Sequence, residues 1–257
     1  MKEAEILSLD GKVKGKMPLP GIFEIMVKPE LIRRAVIAEN TKALQPQGHF
    51  PLAGMQTSAR YYGKMNSYRS GRHMGNAIRP RQKLGAGVQG QVRRIPSATK
   101  GKRAHPHLIE KTMEEAINKK EYQRALASAI SATCRAANST PLIVTDDIES
   151  ISKTKEMLKV LGSLKLSEEI NKGKNSKLRK GLRRSSRMKR YPKSILLVVG
   201  KETPAIKSAR NIAGVDACTT STITANLLAP GGNPGRVTVW SENAVNGIEE
   251  SIKKQRP

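Results

Sequence analysis

No acidic residue occurs between Glu39 and Glu110, and that gap limits what the middle of this chain can fold into. Arg60, Lys64, Arg69, Arg72, Arg79, Arg81, Lys83, Arg93, Arg94, Lys100, Lys102 and Arg103 all lie inside it, with no carboxylate nearby in sequence to pair with. Gly48, Gly54, Gly63, Gly71, Gly75, Gly85, Gly87, Gly90 and Gly101 are scattered among them, with all four histidines and half the aromatics (Phe50, Tyr61, Tyr62, Tyr68). A segment this poor in apolar periodicity cannot bury enough surface to offset the entropy of ordering itself. A loop of this length inside a compact protein is normally either disordered or ordered by a partner. Its uncompensated positive charge makes that partner a polyanion. The expectation is a long extended, non-globular arm over 45–105, set into a globular body formed by 1–44 and 106–257.

The rest of the chain leans the same way. Its 47 Lys+Arg against 21 Asp+Glu give a net charge of +26, too lopsided for an ordinary enzyme surface that mixes both signs. Attraction to anionic lipid is the weaker reading, because no basic amphipathic helix or lipidation signal accompanies the charge. The apolar run Ile195 to Val199 is far too short to span a membrane, and the acidic start Met1-Lys2-Glu3-Ala4-Glu5 is no signal peptide. A cytoplasmic protein with no membrane partner is expected. Cys134 and Cys218 form no CxxC pattern. Cys134 follows Tyr122, Leu126 and Ile130 at i+4 steps and reads as a buried hydrophobe.

Strands and helices alternate along the body. Glu5 to Leu9 reads as a strand closed by Asp10-Gly11. A helix starts at Pro29, with Leu31, Ile32, Ala35 and Val36 at helical spacing, and fades near Leu44. Helical periodicity resumes at Ile109, Met113, Ala116 and Ile117 and continues through Leu126 and Ile130. Pro141 to Thr145 is a short apolar strand, and Asp146 or Asp147 can cap a helix with the stripe Ile148, Ile151, Leu158 and Leu161. The strand Ile195 to Val199 precedes Thr203-Pro204, an N-cap with proline at the first helical position. A turn cluster, Pro230 to Gly235, leads into the strand Arg236 to Trp240 and a final short helix from about Glu242. This alternation predicts an α/β layered body with a mainly parallel sheet, in which 142–144 and 195–199 are central strands.

No catalytic constellation emerges. Gly85-Ala86-Gly87-Val88-Gln89-Gly90 matches GxGxxG literally, but a dinucleotide site needs a strand before it and a helix after it. Neither is expected here, and no acidic residue follows about twenty positions on to hold a ribose. Glycines among arginines instead let backbone approach phosphate closely while the side chains neutralise it. His105-Pro106-His107, with His49 and His73, lacks accompanying Cys or carboxylate ligands, and Lys102 and Arg103 would repel a cation. No metal and no cofactor are expected. Asp146-Asp147 could be a catalytic pair at a strand's C-terminal end; a helix cap is the plainer reading.

A second acid-free run spans Asn171 to Lys193 and includes Lys177, Arg179, Lys180, Arg183, Arg184, Arg187, Lys189 and Arg190. One such run would ordinarily be a solvated linker. Two of them, with tyrosines interleaved in the first, point to nucleic acid: Arg grips phosphate in a bidentate fork, and aromatic rings stack on unpaired bases. Irregular, multidirectional contacts suit folded RNA better than a regular duplex. The candidate RNA-binding residues are therefore the cations of 60–103 named above and those of 177–190. The competing classes are an RNA-modifying enzyme, which would need a cofactor loop after a strand, and a free-standing RNA chaperone.

Several segments, in order, resemble the archaeal and eukaryotic form of the large-subunit ribosomal protein L-four family. They are Gly54-Met55-Gln56-Thr57-Ser58-Ala59, Arg94-Ile95-Pro96, Lys102-Arg103-Ala104-His105-Pro106, Tyr191-Pro192-Lys193-Ser194, Leu227 to Gly232 and Gly235 to Trp240. Together they cover nearly the whole chain, which ends soon after the last strand in the archaeal manner. Where the family has an acid and Trp-Gly-Thr-Gly-Arg, this chain has Arg60-Tyr61-Tyr62-Gly63-Lys64-Met65. The resemblance implies a Rossmann-like body and a non-catalytic constituent of the large ribosomal subunit that organises its ribosomal RNA and supports assembly. It implies that the arm, with its tip around Arg69 to Gly90, lines the peptide exit tunnel. The implied partners are large-subunit ribosomal RNA, neighbouring large-subunit proteins and the nascent peptide, all in the cytoplasmic ribosome.

Overall fold

A computed structural model of the chain describes residues 3–66, 72, 74–85, 88–136, 140–175, 177–178 and 189–254, with backbone alone at 135–136, 177–178, 189–190 and 253–254. Its contacts divide the chain into two units, Met1–Ala43 with Glu114–Pro257, and Leu44–Met113. The strands along the chain are β1 (Glu3–Leu7), β2 (Val13–Pro18), β3 (Arg81–Lys83), β4 (Gln89–Val92), β5 (Leu142–Val144), β6 (Lys177–Leu178), β7 (Lys189–Arg190), β8 (Ile195–Val199), β9 (Asp216–Thr219) and β10 (Val237–Ser241). The α-helices are α1 (Pro29–Lys42), α2 (Lys119–Ala136), α3 (Thr154–Ser163), α4 (Ser167–Lys174), α5 (Pro204–Arg210), α6 (Ala225–Leu228) and α7 (Glu242–Lys254).

The first unit is a three-layer α/β/α structure. Its six-stranded sheet has the order β2-β1-β5-β10-β8-β9; β1 and β2 pair antiparallel, and the other pairings are parallel. The mainly parallel sheet and the central positions of β5 and β8 match the sequence reading. Successive residues of β8 feed opposite layers, as a period of two requires. Leu196 and Val198 join Trp240 of β10 under α1, α2, α6 and α7, while Ile195, Leu197 and Val199 face α3 and α5. All five are at most 1% exposed, which is why this strand reads as unbroken aliphatic sequence. Truncating one of them, Leu197→Ala for example, would cost about 2–5 kcal/mol. On the first layer Ile32, Ala35 and Val36 form the buried stripe of α1, and Tyr122, Leu126, Ile130 and Cys134 that of α2. Phe23 closes edge-on against Trp240, with ring centroids 5.6 Å apart.

Two local expectations are corrected. Ile109 to Asn118 is not helical: α2 begins at Lys119, and Tyr122 N–H donates to the Asn118 carbonyl, 2.9 Å. The stripe had helical spacing, but its first member, Ile109, is 70% exposed, and of the stripe Ile117 packs against the core. Nor do Asp146 and Asp147 cap the next helix. They open a 3-10 turn, Asp146–Ser150, and α3 starts only at Thr154, burying Met157 and Leu161 while Leu158 stays outward. Elsewhere Thr203 and Pro204 do start α5, although the Thr203 side chain makes no capping bond. The last helix, α7, runs 13 residues.

In the second unit β3 and β4 form an antiparallel ladder, Arg81 opposite Val92 and Lys83 opposite Gln89. A strand thus does precede the GxGxxG stretch, but from Gln89 the chain forms its hairpin partner rather than the helix that a dinucleotide site requires. Arg60 extends this patch by exchanging backbone hydrogen bonds with Arg81 (3.2 and 3.1 Å). His49 N–H donates to the His107 carbonyl, bringing the two ends of the segment together at 2.9 Å. Gly54 has φ +77°, and a Cβ there would collide with the Gly101 carbonyl, so the backbone packs on backbone at this point. Among the described residues of this unit only Ala59 is buried, while Phe50, Tyr62, Met65, Met74 and Ile78 are each about half exposed or more.

Candidate nucleic-acid interface

The second unit holds three of its arginines in place without discharging them. Arg94 Nη2 donates to the Thr57 carbonyl (2.9 Å), Arg93 Nη1 to the Thr99 carbonyl (2.8 Å) and Arg81 Nη2 to the Ala77 carbonyl (3.4 Å). Arg93 also reaches the Gln91 side-chain oxygen at 2.9 Å. These acceptors are neutral. Arg60, Arg79, Arg81, Lys83, Arg93, Arg94, Lys100, Lys102 and Arg103 form no ion pair among the described residues. The bridge and ladder gather Arg60, Arg81, Lys83 and Arg93 on one patch, since Arg93 N–H donates to Pro80 beside Arg81. Lys83 Nζ lies 5.4 Å from the centroid of the Tyr62 ring, a cation–π pair that leaves both groups exposed. Arg94 and Lys100 sit at φ 68° and 56°, a left-handed backbone that costs a non-glycine residue about 1–2 kcal/mol.

Lys64 and Arg72 are exposed in the same unit. In the second basic run, Lys177 pairs with Arg190 and Leu178 with Lys189 in the short β6–β7 ladder, which puts basic residues on both strands. Arg69, Arg179, Lys180, Arg183, Arg184 and Arg187, and part of the expected tip between Arg69 and Gly90, lie outside the described residues. Part of the second run's charge is compensated at its borders. Lys172 Nζ bonds Glu169 at 2.5 Å, which raises the lysine pKa, and Lys193 Nζ bonds Asp216 at 2.6 Å.

One arginine spends its charge wholly inside the fold. Arg236 has 2% of its side chain exposed and donates to the carbonyls of Leu227 (2.7 Å), Ile195 (2.8 Å) and Ser194 (3.3 Å) and to Asp216 Oδ2 (2.8 Å). Burial lowers its pKa against the pull of Asp216, yet a guanidinium stays charged in proteins, so the pair is ionic. Burial pushes the Asp216 carboxyl up, but hydrogen bonds from Lys193 and Arg236 outweigh it and hold the pKa below the usual range. The signal in the sequence is phase: Arg236, Thr238 and Trp240 alternate onto one face of a strand that is buried on both.

The carboxyl edge of the parallel sheet, where α/β proteins usually bind ligands, is closed by the chain's own carboxylates. Glu149 Oε1 accepts from Gly200 N–H (2.9 Å) and Ser241 Oγ (2.7 Å). Asp146 Oδ1 accepts from Asn243 N–H at the start of α7 (2.9 Å), and Asp147 Oδ2 from Thr145 Oγ1 (3.1 Å). Asp146 therefore works as a cap after all, on a helix far along the chain, while the Asp147 carboxylate bonds nearby Thr145. Glu39 of α1 plays the same part for α6, accepting from the N–H groups of Ala225 and Asn226 at 2.8 Å.

The sequence model of the ribosomal protein L4/L1 family matches residues 17–251 of this chain. Large ribosomal subunit protein uL4 of Methanococcus vannielii is 39% identical over 260 residues, covering 96% of this chain and 98% of the relative. The uL4 proteins of Methanococcus maripaludis strain C7 and of Methanocaldococcus jannaschii are 40% and 37% identical, covering 95% and 98% of this chain and 97% and 100% of theirs. Matches of this length span body and basic segments alike, and the chain belongs to the ribosomal protein L4/L1 family.

Proposed function

We propose that this chain is a structural constituent of the large ribosomal subunit that binds and organises its ribosomal RNA, supports assembly, and lines the peptide exit tunnel with its arm. The observation that carries the reading is the full-length match to uL4 proteins of the large subunit. The charge arrangement supports it: Arg81, Arg93 and Arg94, held by neutral carbonyls, keep charge for an external polyanion, and exposed Tyr61 and Tyr62 offer faces for stacking. On this reading Arg60, Lys64, Arg69, Arg72, Arg79, Arg81, Lys83, Arg93, Arg94, Lys100, Lys102 and Arg103 neutralise phosphates along the arm over 45–105. Lys177 to Arg190 grip RNA at the rim of the body, and neighbouring large-subunit proteins and the nascent peptide complete the surroundings in the cytoplasmic ribosome.

The test is density-gradient fractionation of cell extract at high salt, with mass spectrometry of each fraction. The chain should remain with the large subunit. Recovery in the light fractions would instead identify a free-standing RNA chaperone.

A further inference from the structure

The outer edge of β9 carries a cleft lined by residues that belong to neither basic run. One cavity of about 530 Å³ is lined by Thr203, Lys207, Arg210, Cys218, Thr219 and Thr222, among others. A second, of about 370 Å³, shares Arg210, Cys218 and Thr222 with it and continues along Val215 to Ala217. A free sheet edge would ordinarily invite an added strand, but this one is occupied. Arg210 Nε reaches the Ala217 carbonyl at 3.4 Å, Thr219 N–H donates to Thr222 Oγ1 at 3.1 Å, and Val215 N–H donates to the Ile212 carbonyl at 3.1 Å. What the cleft presents is side-chain chemistry. Lys207 and Arg210, three residues apart, share one face of α5 and are exposed. Thr219 Oγ1 and Thr222 Oγ1 are fixed 2.9 Å apart, and Thr203 Oγ1 is buried with no hydrogen-bond partner. The carboxylates that border the two cavities are Glu202, at the exposed rim, and Asp216, already neutralised by Lys193 and Arg236.

Two cations beside three hydroxyls, one of them unpartnered, are suited to a tetrahedral oxyanion: Thr203 and one hydroxyl of the Thr219–Thr222 pair donate while the guanidinium and ammonium balance the charge. We propose that this cleft, built from residues outside 45–105 and 171–193, is a phosphate-binding site of the body, and that it takes a phosphodiester of RNA through Lys207 and Arg210. The proposal rests on the RNA-binding reading above. Free phosphate has the same chemistry, and the experiment separates the two sources.

The probe is a transcript of large-subunit ribosomal RNA from the same organism, bound to the full chain over a series of salt concentrations. The paired change Lys207→Gln with Arg210→Gln should reduce the slope of log K against log salt by about 0.7–0.9, the share of one neutralised phosphate. Arg210→Lys should retain most of that share, and a control pair on α3, Lys155→Gln with Lys159→Gln, should leave the slope unchanged. Thermal melting of each variant checks that the body is intact. An unchanged slope in the cleft variant, or an equal loss in the control pair, overturns the site. Amide shifts of Thr203 and Thr222 on titration with inorganic phosphate, without a slope change for RNA, would overturn the RNA assignment in favour of a small-anion site. If the unaltered chain fails to bind the transcript at all, the RNA-binding reading itself fails, and with it the premise of the cleft.

Discussion

Asp216→Asn tests whether the buried ion pair, rather than apolar packing alone, fixes the edge of the sheet. The substitution keeps shape and some hydrogen bonding but leaves Arg236 charged, buried and facing a neutral group, with Lys193 released. Removing one partner of a fully buried pair costs about 3–5 kcal/mol. Asp216 keeps 20% of its side chain exposed, and Arg236 keeps its bonds to the Leu227 and Ile195 carbonyls, so roughly 2–3 kcal/mol is the better figure here. For a body of this size that loss lowers Tm by about 4–12 °C. The pH dependence gives a second handle. A carboxyl whose folded pKa is depressed contributes stability above its unfolded pKa of about 3.9, and loses it as pH falls through the lower folded value. The gap in Tm between the unaltered chain and Asp216→Asn, full at pH 7, should therefore narrow as pH drops below about 4. Differential scanning calorimetry at several pH values reads both. A Tm within about 1 °C of the unaltered chain at pH 7, or a gap that persists undiminished at the acid end, would refute the assignment of the pair as a stabilising contact.

Neutralising Arg179, Lys180, Arg183 and Arg184 together should flatten the salt dependence of RNA binding by about 0.7–0.9 for each phosphate left without its cation; an unchanged slope in filter binding would place the RNA interface elsewhere. Replacing 69–90 with a short Gly/Ser linker should leave the thermal transition of the body nearly in place, because neither apolar cluster contains a residue of 44–113 and closure entropy varies slowly with loop length. Loss of that transition would mean the arm packs on the core, and altered nascent-chain behaviour in assembled subunits is the functional readout. Burial pushes the Cys218 thiol up to about 12, so its alkylation at neutral pH should follow global unfolding; rapid labelling of the native chain would contradict this.

Residues whose environment is made by near neighbours in sequence could be read directly. The helix from Pro29 and the strand Ile195–Val199 declared themselves because their spacing and burial agree. What escaped depends on partners far along the chain. Asp146 looked like a cap for the next helix because sequence offers only the next helix; its partner, Asn243, lies 97 residues away. Glu39 meets Ala225 across 186 residues, and nothing in α1 announces it. Ile109 and Met113 kept helical spacing outside the apolar clusters, and Ile117 packs against the core without being helical, so periodicity alone overextended α2. The β3–β4 hairpin was invisible for another reason: its strands are only three and four residues long and carry Arg, Gln, Lys and Gly, with Val92 the one β-branched side chain. Among the candidate site residues, composition identified which sign of charge would be exposed. It could not show that Arg236 is spent internally while Arg93 and Arg94 are tethered to carbonyls.

A carbonyl acceptor orients a guanidinium but leaves its charge whole, so the cations of the second unit repel one another wherever they are gathered. The bridge between Arg60 and Arg81 sets two like-charged residues directly opposite, an arrangement that weakens a strand pair. At about 6 Å in water each such pair costs roughly 0.7 kcal/mol before screening. Raising ionic strength from about 0.01 to 0.15 M shortens the screening length from about 30 to 8 Å and removes much of the long-range repulsion. The backbone amides of Arg60 and Arg81, which donate to each other's carbonyls, should then exchange more slowly, and more slowly still with RNA, whose phosphates sit between the cations instead of merely screening them. Hydrogen exchange on the isolated chain across that salt range reads this residue by residue. Protection that stays flat or falls with salt would mean that apolar contact, not charge, governs the patch. The arm would then hold its shape before it meets any polyanion.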